Sequence, residues 1–143
     1  MTASPPECVI LVGLPGAGKS TFARARFPDH EYISKDAFPQ GARNKQARQD
    51  AALRAALAAG RSTVVDNTNV TPAERAAIVA IARAFAARTV CYYLEVSTRE
   101  AVARNEGRSG RAKVPKVAIF TCAKRLVPPD AGEGFDELHV VRA

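Results

Sequence analysis

The residues best suited to chemistry stand near the start of the chain. Gly13-Leu14-Pro15-Gly16-Ala17-Gly18-Lys19-Ser20 fits the spacing G-x-x-x-x-G-K-[ST]. Glycines at 13, 16 and 18 let the backbone turn with its N–H groups facing inward. A helix opening at Gly18 adds its positive N-terminal end, which attracts anionic oxygens. Lys19 is placed to reach β- and γ-phosphates, and the Ser20 hydroxyl to hold Mg²⁺. The expectation is a cradle for ATP or GTP built from Gly13, Pro15, Gly16, Ala17, Gly18, Lys19, Ser20 and Thr21. Such a cradle identifies a phosphate donor and leaves the reaction open.

Three later stretches carry residues that could choose the acceptor. Ser34-Lys35-Asp36 follows the second apolar run. A carboxylate there can point into a cleft opposite a nucleotide and take the proton of an acceptor hydroxyl. The same aspartate could equally be a solvated loop residue or cap a turn. Asp66-Asn67-Thr68-Asn69 follows the third apolar run. Asp66 sits where a carboxylate would hold Mg²⁺ or its waters, and Asn67, Thr68 and Asn69 can form a side-chain-bonded turn. Arg104 to Pro115, "RNEGRSGRAKVP", gathers four arginines or lysines around two glycines. A basic lid of this kind would neutralise charge on a transferring phosphoryl group, and Arg suits it because its planar fork matches phosphate oxygens. Arg104 and Arg108, next to the preceding helix, are the preferred candidates. An ordinary solvated basic loop is the alternative. Arg43, Lys45, Arg48 and Arg54 form either one wall of a polynucleotide groove or a wet helix face. Phe38 is either a stacking platform or an edge plug, and His30 and His139 read as structural or surface residues.

These residues need a scaffold, and the pattern supplies one. Apolar runs alternate with helix-period segments, as in βαβ units. Strands are expected at Cys8 to Val12, Glu31 to Ser34, Ser62 to Asp66, Thr89 to Val96 and Glu137 to Val141. The fourth is apolar on both faces, which predicts a central place. Helices are expected at Gly18 to Arg26, Asn44 to Ala59, from a Thr71-Pro72-Ala73-Glu74 capping box to about Ala87, from a Ser97-Thr98-Arg99-Glu100 box to about Asn105, and from Pro115 to before Pro128. The fold class expected is a three-layer α/β/α sandwich with a five-stranded, mainly parallel sheet, binding at the carboxyl ends of its strands.

Composition narrows the class. A chain of 143 residues suits one domain with its own core, and 1–143 is read as a single unit. The formal net charge of +7 favours an anionic partner. The 3 cysteines form no Cys/His cluster, which argues against zinc, and Cys8 and Cys91 lie in apolar runs as small core residues. "MTASPPE" lacks the pattern of a signal peptide, and no stretch has the ~20 apolar residues that span a bilayer. A cytoplasmic setting with no membrane contact is expected.

Taken together, "VGLPGAGKSTFARARF", "YISKDAF", "RSTVVDNTNVTPAERAAIVAIARA" and "ARNEGRSGRAKVP" resemble the P-loop kinase domain of 5′-hydroxyl polynucleotide kinases, from Val9 to about Leu138. The resemblance implies an ATP- and Mg²⁺-dependent kinase acting on a nucleic-acid 5′ end. It implies Asp36 as general base, Lys19 and Ser20 on phosphate and Mg²⁺, Arg104 and Arg108 in the basic lid, and Asp66 or Asn67 facing acceptor or metal. The chain departs from the phage enzyme at one place, where an arginine three residues beyond the base is replaced by Pro39; Arg43 is the candidate substitute. A small-molecule hydroxyl kinase of the same fold and a non-catalytic ATP-binding module are the alternatives.

Overall fold

The protein is described by a computed structural model covering residues 4–110 and 113–142. Strand β1 (Glu7–Val12) is apolar and buried on both faces beyond its first residue, so it must lie inside a sheet covered on two sides. It is flanked by β3 (Thr63–Asp66) and β4 (Arg88–Glu95), with β2 (Glu31–Ile33) and β5 (Glu137–Arg142) outermost. The order is β2-β3-β1-β4-β5, and every pairing is parallel.

Alternate residues of β1 divide the core. Cys8, Ile10 and Val12 pack with residues of helices α2 (Lys45–Ala58) and α3 (Pro72–Ala84). Val9 and Leu11 pack on the opposite side with α1 (Lys19–Arg26). Helices α4 (Thr98–Glu106) and α5 (Lys116–Arg125) make a smaller core of Ala101 and Ile119 around Leu14. Register sets the site: Leu11 pairs with Asp66, Val12 with Tyr93 and Ile33 with Val65. The carboxyl ends of β1, β2 and β3 therefore finish side by side, and the residues after them share one edge.

The expected three-layer sandwich is present, with adjustments in strand direction and at several element ends, Gly18, Ala59, Ser62 and Val96 among them. The sheet is wholly parallel rather than mainly so. β4 lies inside the sheet as expected, between β1 and β5 and buried along most of its length, and β1 holds the middle place. The third helix ends at Ala84 and not Ala87, because the Ala87 N–H turns back to the Ala82 carbonyl through Ala86 at φ 54 before β4 begins. Ser34 and Asn44 stand outside their expected elements: Ser34 caps a 3₁₀ turn, and Asn44, at φ 55, precedes α2. Thr71 and Ser97 do accept hydrogen bonds from the backbone N–H groups of Glu74 and Glu100.

Cys8 and Cys91 are buried thiols, pushed by burial up to about 11 and about 12, so they stay protonated in the core. Among the described residues, no helix is long and apolar enough to cross a membrane. The expectations for the N-terminal "MTASPPE" and the basic stretch fall in part on residues 1–3 and 111–112, which lie outside the described residues.

Arg75 is the largest fully buried side chain. Its guanidinium meets Glu133 through two hydrogen bonds of 2.8 and 3.0 Å and donates a third, 2.9 Å, to the Asn69 carbonyl. Replacing Arg75 by leucine strands Glu133 and that carbonyl. The expected loss of stability in urea unfolding is about 3–5 kcal/mol, as for other buried ion pairs broken on one side.

Candidate active site

The turn after β1 is held from several directions. Leu14 is 3% exposed and anchors the loop between α4 and α5. Gly16 takes φ +89, and a Cβ there would fall 2.5 Å from the Ala101 carbonyl oxygen, so only glycine lets the loop lie this close to α4. Gly13 donates its N–H to the Thr68 carbonyl at 3.1 Å, tying the loop to the turn after β3. Gly18 caps α1 in the left-handed region without a side-chain bond. Pro15 is half-buried in the loop, Ala17 is buried, and Thr21 is exposed at the start of α1.

Lys19 is the buried charge of this loop. Its Nζ donates to the Gly13 and Leu14 carbonyls at 3.0 and 2.9 Å. Burial pushes the ammonium down to about 8; Asp66, Cys122 and Asp36 pull it upward, while Arg108 adds to the lowering. Lys19 thus lies within the electrostatic reach of the expected base, the expected metal carboxylate and one lid arginine.

Next to it, Ser20 Oγ donates to Asp66 Oδ2 at 2.9 Å. Asp66 is 5% exposed, at the end of a strand whose four residues are all buried. The Tyr32 hydroxyl donates to the same Oδ2 and lies 3.3 Å from Ser20 Oγ. The donors here are hard oxygens from one hydroxyl and one carboxylate. No group of three or more His, Cys, Asp or Glu suited to a metal exists among the described residues. A small set of protein oxygens fits Mg²⁺, which takes one or two protein ligands and fills its octahedron with waters and phosphates.

Asp36 lies in the 3₁₀ turn Lys35–Ala37, directly after β2, and is exposed. The turn is pinned by Ser34 Oγ, which accepts from the Asp36 N–H at 3.2 Å. Asn67 pins it again: its Oδ1 accepts from the Lys35 N–H at 3.0 Å, while its amide donates to Gln49 of α2. Asp66 and Asn67 therefore face different ways, one toward Ser20 and the other toward the turn that carries Asp36. Asn69, at φ 46, donates to the Leu11 carbonyl at 2.8 Å, so the Asn67 and Asn69 side chains tie the turn to β1, to the turn after β2 and to α2 rather than bonding within it as expected. Arg43 and Arg48 are exposed, Lys45 and Phe38 half-buried.

Arg104 and Arg108 both line a hollow of about 470 Å³, together with Thr21, Phe22 and Val141. The Arg104 guanidinium donates to the Ala17 carbonyl at 3.1 Å, so it is bound to the loop from the last turn of α4. The basic stretch is closed at its base by Asn105, 1% exposed, whose amide makes two hydrogen bonds, 2.7 and 2.9 Å, with the Val114 backbone. His30 pairs with Glu7 and His139 stacks on Tyr92.

Tyr32, Gln49, Asn105 and Arg75 were not singled out by sequence reasoning. Gln49 and Asn105 each interrupt an otherwise apolar helix face with an amide, and that interruption was the available signal. Nothing local marks Tyr32, whose partners lie 12 and 34 residues away.

The chain is 31% identical over 140 residues to the bifunctional polynucleotide phosphatase/kinase of Schizosaccharomyces pombe, covering 94% of this chain and 33% of that protein. It thus spans about a third of the curated relative it matches. Among solved structures, a chain of the Pnkp1/Rnl/Hen1 RNA repair complex superposes with a TM-score of 0.74 at 25% identity, over 87% of this chain and 45% of that one. A gluconokinase from Sinorhizobium meliloti 1021 superposes with a TM-score of 0.67 at 19% identity, over 98% of this chain and 84% of that one. A family profile described as an AAA domain matches residues 8–129. With a P-loop, a parallel sheet of this order and a profile match over most of its length, the chain belongs to the AAA domain family and has the fold of its nucleotide-binding P-loop kinases.

Proposed function

We propose that the protein transfers the γ-phosphate of ATP to the 5′-hydroxyl of a polynucleotide. The observation that carries this reading is the position of Asp36: exposed, at the carboxyl end of β2, on a turn pinned by Ser34 and Asn67. The likeness to a polynucleotide phosphatase/kinase supports the choice of acceptor.

In this reading the loop N–H groups and Lys19 bind the phosphates, and the hollow beside Thr21, Phe22 and Val141 takes the base. Ser20 and Asp66 would hold Mg²⁺, which would supply positive charge against the bound phosphates. Asp36 orients the acceptor hydroxyl and takes its proton as the new O–P bond forms and the bond to the leaving oxygen breaks. Arg104 and Arg108 stabilise charge on the moving phosphoryl group. Lys35, Arg43, Lys45 and Arg48 face the acceptor's backbone phosphates, with Arg43 serving in place of an arginine at Pro39.

Incubation with ATP, Mg²⁺ and 5′-hydroxyl oligonucleotides should give 5′-phosphorylated product, with weaker acceptor binding at high salt. Asp36→Ala should lower kcat about 100-fold or more while nucleotide affinity stays near wild type. Transfer to small sugars but not to oligonucleotides, or full activity in Asp36→Ala, overturns the assignment.

Lys19 generates a pH prediction. Its pKa of about 8 lies below the ordinary lysine value, and bound phosphates favour the charged form and raise it again. Nucleotide binding should therefore take up protons, approaching about one per site near pH 9, and affinity should fall as pH rises above about 8. Titration calorimetry in buffers of different ionisation enthalpy measures the uptake.

A further inference from the structure

We infer that Tyr32 is a positioning residue for the divalent cation, holding the Asp66 carboxylate and the Ser20 hydroxyl in the arrangement that accepts Mg²⁺. The inference rests on the reading of Ser20 and Asp66 as the cation's protein ligands or water anchors. Three side-chain oxygens, from β2, α1 and β3, cluster together: Tyr32 and Ser20 each donate to Asp66, and their own oxygens lie 3.3 Å apart with both protons already used. Both hydroxyls converge on the same carboxylate oxygen, Oδ2. The Ser20 proton is thereby committed to Asp66, which leaves the lone pairs of Ser20 Oγ for a cation.

One hydrogen bond from Ser20 would fix the distance to the carboxylate but not its plane. A second donor on the same oxygen, arriving from another strand, restricts rotation about the Asp66 side chain. Tyr32 is suited to this because its own placement is fixed elsewhere. Its backbone is paired to Val64 of β3, and the Arg24 guanidinium of α1 lies 5.9 Å from its ring centroid. The ring is 38% exposed, whereas Asp66 is 5% exposed, so the phenol stands at the rim and the carboxylate behind it. Partners of this kind, one shell out from a metal, orient the ligands and set the affinity.

Tyr32→Phe keeps the ring and the Arg24 contact and removes only the hydroxyl. Binding of a fluorescent N-methylanthraniloyl-ADP is measured first in EDTA and then across a Mg²⁺ titration. The half-saturating Mg²⁺ concentration should rise about tenfold in Tyr32→Phe, with affinity in EDTA near wild type. In an Asp66→Asn background, Tyr32→Phe should add no further change, because its partner is already altered. An unchanged or lower half-saturating Mg²⁺ overturns the inference. So does a parallel loss of affinity in EDTA, which marks a general role in loop structure, or a wild type whose nucleotide binding ignores Mg²⁺. No acceptor is present, so a protein that fails to phosphorylate oligonucleotides but shows the Mg²⁺ shift loses the proposed acceptor and keeps the role of Tyr32.

Discussion

A buried ammonium with backbone carbonyls for hydrogen-bond partners is the constraint on which the rest of the molecule depends. Lys19 is 8% exposed, and its two hydrogen bonds go to the loop that it closes. Burial of a charge is costly unless partners are fixed in place. The loop must therefore keep one shape. Leu14 is sunk between α4 and α5, Gly16 lies against Ala101, and Gly13 is bonded to Thr68. Much of what looks like peripheral structure, two helices and a turn, serves to hold eight residues still.

The parallel register carries this order outward. Because Leu11 stands beside Asp66, the carboxylate arrives next to Ser20 without a connecting loop to place it. Because Ile33 stands beside Val65, the turn after β2 arrives next to the turn after β3, and Asn67 can bond both Lys35 and Gln49. The buried Arg75–Glu133 pair closes the chain of supports by gripping the Asn69 carbonyl. Removing water from such networks makes each bond stronger and each missing partner more costly.

The two halves of the site differ in kind. Lys19 and Asp66, at the heart of the donor half, are buried and bonded to fixed partners. Asp36, Arg43 and Arg48 are exposed on a turn, a loop and a helix surface. Loops on a rigid scaffold are where specificity changes most readily. The same fold thus accommodates different acceptors while the donor half stays constant.

By itself, the sequence determined the elements and the donor cradle, because both depend on local chemistry. A glycine-rich turn between an apolar run and a helix is readable in eight residues, and Thr71 and Ser97 announce their helices through N-cap chemistry. Strand order was not legible in the same way: β4 is buried on both faces, as its apolar run requires, yet β1 is the middle strand. An apolar pattern records that a face is covered and not which neighbour covers it. Only the tertiary structure decided that Asp66 meets Ser20 while Asn67 turns toward Lys35, and that Tyr32 joins the first pair. The physical reason is that a hydrogen bond is selected by the position of its partner in space, and these partners stand 12 to 46 residues apart in the chain.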